Sequence, residues 1–281
     1  MDSKAKNVKF MVCHDGSDAS QNALETVKDS LLKEHDELVV AHAWNEAKEE
    51  YLPYKFKRAY IRQQNLADFT YLGKRFDFLE EEITKGKTTK DVLNGLAKVC
   101  HADVAVVGYH GRKGPKEDPT LMGSAVQYLS TKSEAPVMII KDPKSRKDRG
   151  AFMFAVCVDG SKASIDCLKM LIRFRHSDDK VYVIICEQQN IDSAHVKTVV
   201  SEVLEEQGCL EHSQIMVLSS QYGKRTKDII REHITETPDL YIDYIFVGNK
   251  GADFSGSKDH YLGSVANEII RHTKLNTVFI C

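Results

Sequence analysis

Two acids, Asp15 and Asp159, each end a short apolar run and open the same polar turn, in CHDGSDAS and CVDGSKAS. Further along, Gly108 and Gly111 stand three apart and are followed, after eleven residues, by Gly123 and Ser124; Gly248, Gly251, Gly263 and Ser264 repeat that spacing. Glycines let backbone N–H groups close in on an anion, and a helix beginning at Gly-Ser adds free N–H donors and a partial positive charge. One exposed helix end contributes only about 0.3–1 kcal/mol, so several donors have to act together, with the Ser124 and Ser264 hydroxyls among them. The acid at the same edge can accept from a ribose or adenine donor, or hold magnesium that accompanies a polyphosphate. Its plainer alternative is a helix cap or an Asx turn. The chemistry that all these residues share is the capture of a phosphorylated ligand.

Such residues need elements to carry them, and the chain supplies those elements twice. KFMVCHDGSDASQNAL is answered 144 residues later by MFAVCVDGSKASIDCL, GKTTKDVL 137 later by GKRTKDII, and the glycine set 140 later. Constant spacing inside motifs and drift between them is the mark of loops joining fixed elements. The reading is two domains, 1–143 and 151–281, joined across the polar seam DPKSRKDRG, which is read as a solvated linker. Within each copy, short runs rich in β-branched residues (VKFMVC, ELVVAHA, ADVAVVG and APVMII; then FMFAVCV, KVYVIIC, DYIFVG and NTVFI) suit strands buried on both faces of a parallel sheet. A further strand is needed in each copy; QIMVLSS fits well and FDFLEEEIT fits weakly. Helical spacing appears between strands at Ala23, Leu24, Val27 and Leu31, and at Val199, Val203 and Leu204. Ser17 or Asp18 can cap the first helix, and Thr88 with Asp91 can form a capping box. The fold class is therefore α/β, two Rossmann-like domains that are each a five-stranded parallel sheet with helices on both faces.

Several other chemistries are excluded or demoted. With 39 basic against 41 acidic residues the chain carries a formal charge of -2, so no general attraction to nucleic acid or membrane follows. No apolar run is long enough for a bilayer and the first residues lack a signal-peptide pattern, so the expected location is cytoplasmic. Seven scattered cysteines without a CxxC pair read as small buried hydrophobes rather than zinc ligands or a disulfide framework. His14, His42 and His110 fall at one sheet edge, but as pocket-lining imidazoles rather than a metal site. KGKTTKD ends like a phosphate-binding P-loop, yet Glu81 stands where its first glycine belongs. The aromatic and basic insert after Trp44 is expected to fold as an amphipathic helix on its own sheet, with base stacking as the lesser reading.

The duplicated DGS.AS start, the GxxG loop, the Gly-Ser and the closing apolar strand, in that order, resemble a tandem universal stress protein. That resemblance covers nearly all of the chain except the seam and the insert. It implies an adenine nucleotide alpha hydrolase-like fold, ATP binding, and pairing through the last strand, here between the two copies or in a homodimer. By matching position it implies that Asp15 and Asp159 face the nucleoside and that the backbone at Ala43 and Cys186 meets adenine. It further implies that Gly108, Gly111, Gly123 and Ser124, with Gly248, Gly251, Gly263 and Ser264, hold ribose and phosphates. Both loops are longer than the family's usual one.

No positioned base or transition-state clamp accompanies the phosphate set, so the expected role is a non-catalytic binding module in a stress response. The alternatives are a weak ATPase or an enzyme that phosphorylates itself on Ser124 or Ser264, and an interaction scaffold with vestigial sites. Between the copies, loop charge favours the first: Arg112, Lys113 and Lys116 outnumber Glu117 and Asp118. In the second, Asp253 and Asp259 outnumber Lys258. The aliphatic Val158, where the first copy has His14, favours the second.

Overall fold

A computed structural model describes residues 7–114, 121–189, 191–249, 262–273 and 276–281. The chain divides into two compact units, Met1–Ser145 and Arg146–Cys281.

In the first unit the order is β1 (Lys9–Cys13), α1 (Asp18–Thr26), β2 (Glu37–Trp44), α2 (Glu46–Glu49), α3 (Arg58–Asp68), β3 (Phe76–Glu82), α4 (Thr89–Val99), β4 (Val104–Gly108), α5 (Ser124–Lys132) and β5 (Val137–Ile140). The strands lie in the order β3-β2-β1-β4-β5, all parallel. The second unit begins with α6 (Arg146–Arg149) and continues β6 (Met153–Cys157), α7 (Lys162–Phe174), β7 (Lys180–Cys186), α8 (Ser193–Glu206), β8 (Ser213–Leu218), α9 (Thr226–Glu236), β9 (Tyr244–Val247), α10 (Ser264–His272) and β10 (Thr277–Ile280). Its order is β8-β7-β6-β9-β10, again all parallel. In each unit the chain direction across the sheet reverses between the first strand and the fourth. The crevice beyond the carboxyl ends at that reversal is where open α/β sheets take ligands.

Each apolar run read from the sequence lies within or overlaps a strand, and the weak candidate FDFLEEEIT supplies β3. Central strands are buried along almost their whole length, as a sheet covered on both faces requires. Ala23, Leu24, Val27 and Leu31 are buried, and α8 buries Val196, Val200, Val203 and Leu204. Ser17, not Asp18, caps α1 by accepting from the Ser20 amide, and Ser161 does the same for α7. Thr88 and Asp91 form the capping box of α4, so the P-loop-like threonine is a helix start.

Four acids fasten the opposite, amino-terminal edge of the sheets. Asp36 accepts from the Val8 and Lys33 amides at 2.8 and 3.0 Å. Its counterpart Asp179 accepts from the Phe152 and His176 amides, both at 2.8 Å. Asp103 takes the Lys9 amide and Asp243 the Met153 amide. The seam is correspondingly less solvated than its composition suggests. Arg146 grips buried Asp179 with two N–H groups at 2.8 and 2.6 Å, Arg149 pairs with Asp243, and the Lys144 carbonyl accepts from the Ser30 hydroxyl. A basic run that reads as a linker is thus partly a set of clamps on carboxylates that its own sequence does not contain.

Candidate functional site

In the second unit, a cavity of about 460 Å³ opens at the carboxyl edge where strand order reverses. Its floor is the ends of β6, β7 and β9, with Cys157, Val158, Cys186 and Val247. Asp159 and Ser164 stand on one side. Gly248, Gly263, Ser264, Val265 and Ala266 bring the amino end of α10 to the other. Gln188, Ile191 and Ile230 also line the cavity, with Arg225, Thr226 and Lys227 at the start of α9. The size lies within the range of about 300–1,000 Å³ usual for small-molecule sites, as does the mixture of apolar walls and a few convergent polar groups.

The turn after β6 is built to present its acid. Asp159 Oδ1 accepts from the Ser161 amide at 3.0 Å and the Ser161 hydroxyl at 2.6 Å, while the Asp159 amide donates to Ser164 Oγ. Gly160 turns the chain at a φ of +82°, a left-handed conformation that suits glycine. The α10 end is seated by the Gly263 amide donating to the Asn249 carbonyl at 2.8 Å. Glu268, nearly buried, accepts from Lys227 at 2.7 Å and lies 3.2 Å from Arg231 Nε. That pairing holds α9 and α10, the two walls that carry the cationic and helix-end groups.

Of the residues singled out in the second copy, the structure therefore brings Asp159, Cys186, Gly248, Gly263 and Ser264 together; Gly251 and the loop charges Asp253, Lys258 and Asp259 lie outside the described residues. The sequence reading missed Gln188, Ile191, Ile230 and the stretch from Arg225 to Lys227. GKRT was recognisable as a helix start, but its approach to the glycine set depends on α9 packing beside α10.

The first unit has the same turn. Asp15 Oδ1 accepts from the Ser17 amide and hydroxyl at 3.0 and 2.5 Å. Its other oxygen accepts from the Arg112 amide at 3.2 Å, and Arg112 Nε donates to the Asp15 carbonyl at 2.6 Å. Burial works to raise the Asp15 carboxyl, but the Ser17 bonds, the Arg112 charge and Ser20 outweigh it and hold the group below the usual carboxylate range. A Cβ on Gly111 would lie 3.4 Å from Asp15 Oδ2, so the GxxG loop rests on the acid. The insert leans on the same turn. A Cβ on Gly16 would meet the Lys55 carbonyl at 2.7 Å and the Phe56 ring at 3.1 Å, and Phe56 also carries the Arg112 guanidinium 5.3 Å above its centroid.

Arg112, counted from sequence as a phosphate cation, is thus spent within the protein, while Lys116, Glu117 and Asp118 lie outside the described residues. Gly108 has a structural duty of its own, because a Cβ there would stand 2.5 Å from the Ala19 carbonyl oxygen of α1. Gly123 accompanies it, its amide donating to the Tyr109 carbonyl at 3.2 Å before Ser124 begins α5. Ala43, next to last in β2, is buried and pairs with Glu81 of β3.

His14 and His42 are tied to the Asp15 turn. The His14 ring takes the Gly16 amide on Nδ1 and meets Gln21 through Nε2, and His42 Nδ1 donates to the His14 carbonyl at 2.7 Å. Among the described residues no three His, Cys, Asp or Glu side chains gather as a metal ion would need. Burial, more than any neighbouring charge, lowers the proton affinity of both imidazoles. An unfolded chain protonates them first, near the ordinary value of about 6.5. The stability that they contribute is therefore complete above that pH and is lost as pH falls below it toward the depressed folded values. Urea unfolding followed through Trp44, the one tryptophan and a resident of this unit, should show a lower midpoint at pH 5.5 than at 7.5. His42→Asn, which keeps a donor but does not titrate, should flatten that dependence.

The open parallel sheet with an acid, glycines and a helix end at its switch point defines the class of doubly wound α/β folds. Residues 7–141, which make up nearly all of the first unit, match the model of the Universal stress protein family. A universal stress protein from Archaeoglobus fulgidus DSM 4304 superposes with a TM-score of 0.63 at 19% identity, over 97% of this chain and 95% of that one. A protein of unknown function from Pseudomonas aeruginosa PAO1 does so with a TM-score of 0.63 at 10% identity, over 98% of this chain and 92% of that one. At these identities the likeness is one of fold. No curated protein sequence matches the chain. Among the described residues no helix is long and apolar enough to cross a membrane.

Proposed function

We propose that the protein is a non-catalytic adenine-nucleotide-binding module of a stress response, and that its second half carries the working site. The observation behind this reading is the cavity that joins Asp159, Cys186, Gly248, Gly263 and Ser264. Its parts fit a nucleotide in sequence along the crevice. Ile191 and Ile230 offer apolar surface to a flat base and Gln188 an amide able to pair with its edge. Asp159 accepts from ribose hydroxyls. The α10 end with Ser264 presents N–H and hydroxyl donors to phosphate. ATP, with magnesium accompanying its phosphates, is the nucleotide proposed. The first half supports a different role, because its acid already holds Arg112 and its turn already holds the insert.

Calorimetric titration with magnesium-ATP tests this. Saturable heat is expected for the unaltered chain and for Asp15→Ala, and its loss, by tenfold or more in affinity, for Asp159→Ala. Tenfold corresponds to about 1.4 kcal/mol, just under the lower end of the range of about 1.5–3 kcal/mol for a hydrogen bond to a charged group. Absence of heat from the unaltered chain, or loss on Asp15→Ala alone, overturns the assignment.

A further inference from the structure

We infer that Cys167 and Cys281 are a redox pair that closes to a disulfide under a small-molecule disulfide oxidant and thereby tightens the rim of the second-half cavity. Neither thiol is used by the site itself. Cys167 lies on the buried face of α7, and Cys281 directly follows β10. Phe174 of α7 packs edge-on against Phe279 of β10, with ring centroids 5.3 Å apart. A helix that follows a strand into a parallel neighbour runs back along the sheet. Stepping seven residues back from Phe174 along the same helix face reaches Cys167, and stepping two forward from Phe279 along the same strand face reaches Cys281. The two side chains do meet: the Cys281 thiol is a hydrogen-bond neighbour of the Cys167 sulfur, while the Cys281 amide is held by the Val247 carbonyl of β9 at 3.1 Å.

Each cysteine is tied to a different part of the cavity. Ser164, one helical turn before Cys167, lines it. On the other side the Cys281 carbonyl accepts from the Asn249 amide at 2.8 Å, and the Asn249 carbonyl accepts from the Gly263 amide at 2.8 Å, at the head of α10. A disulfide requires the sulfurs to approach from hydrogen-bond contact to about 2.05 Å. That closure draws the end of β10 toward α7 and fixes the Asn249–Gly263 chain from beneath.

The chemistry is ordinary thiol–disulfide exchange. Cys281, the more exposed of the two, gives its proton to water, and its thiolate attacks one sulfur of the reagent disulfide R–S–S–R. The S–S bond breaks and R–S⁻ departs. Cys167, losing its proton to that leaving thiolate, then attacks the Cys281 sulfur and expels the second R–S⁻. Two cysteine thiols are oxidised to one disulfide and the reagent is reduced to two R–SH. Cys167 is fully buried, and burial pushes its thiol well above the usual value, so the second step is the slow one.

The test uses the full chain with oxidised glutathione, alkylation of remaining thiols, and peptide mapping without reduction, together with amide hydrogen exchange. A peptide pair linked through Cys167 and Cys281 is expected, absent from Cys281→Ser. Exchange at the Asn249 and Gly263 amides should slow severalfold on oxidation and recover with a reductant. A glutathione adduct left on Cys281, a link from Cys167 to Cys157 instead, or unchanged exchange across 244–249 and 262–273 would overturn the inference. None of these readouts needs a nucleotide, so failure of the nucleotide assignment and failure of the thiol pair are separable.

Discussion

Gly263→Val should weaken nucleotide binding about a hundredfold while leaving the second half folded. Gly263 lines the cavity at the head of α10, its φ of -55° is open to any residue, and its amide bond to the Asn249 carbonyl does not depend on the side chain. Valine therefore fits the backbone but fills the space in front of the Ser264 donors with two methyl groups. Steric exclusion from a helix-end site removes the phosphate contacts together rather than singly, so an affinity loss of about a hundredfold, roughly 2.7 kcal/mol, is expected. Calorimetry with magnesium-ATP reads the affinity, and far-ultraviolet dichroism with a thermal scan checks the fold. Unaltered binding by a folded Gly263→Val protein would place the ligand elsewhere.

Gly108→Ala should destabilise the first half, whereas the matching change in the second half should not. The Cβ of an alanine at 108 would stand 2.5 Å from the Ala19 carbonyl oxygen, 2.6 Å from its carbon and 2.9 Å from its Cβ, and all but the last are helix backbone that cannot swing away. At Gly248 the nearest atoms are the Ser164 amide at 3.4 Å and Ala163 Cβ at 3.5 Å, ordinary contact distances. Overpacking of a well-filled core costs about 1–3 kcal/mol, and the upper part of that range is expected where backbone must yield. Denaturant unfolding monitored through Trp44 should show the loss for Gly108→Ala. Gly248→Ala, followed by dichroism, should leave stability nearly unchanged. Equal stability of Gly108→Ala and the unaltered chain would mean that α1 shifts freely on β4.

These two glycines show what a sequence can and cannot say about such a site. Their positions in the repeat were legible, and so was the sheet, because runs such as VAVVG and YIFV are apolar throughout and can only be interior strands. β3 was the hardest strand to see: FDFLEEE mixes charge into an edge position, where half-exposed side chains tolerate it. The role of each glycine was not legible. Gly108 and Gly248 stand in the same motif, yet one is held by a helix that comes too close for any side chain and the other by ordinary contacts.

The long-range contacts of the first half were hidden for the same reason. Counting loop charges favoured the first copy, but Arg112 is consumed by Asp15 across 97 residues of sequence, and the insert reaches the turn through Lys55 and Phe56. Contacts of that range are fixed by how helices settle on the sheet, and no local pattern announces them. The acids Asp36, Asp103, Asp179 and Asp243 carry the converse lesson. Their chemistry is suited to a site, but they sit at the edge away from it and tie strand starts to loops.

The central claim is that one chain offers one working nucleotide site, in its second half. Native mass spectrometry of the full chain with saturating magnesium-ATP measures this directly. One nucleotide per chain is expected, retained in Asp15→Ala and lost in Asp159→Ala; two per chain, or a single nucleotide that disappears with Asp15→Ala, would contradict it.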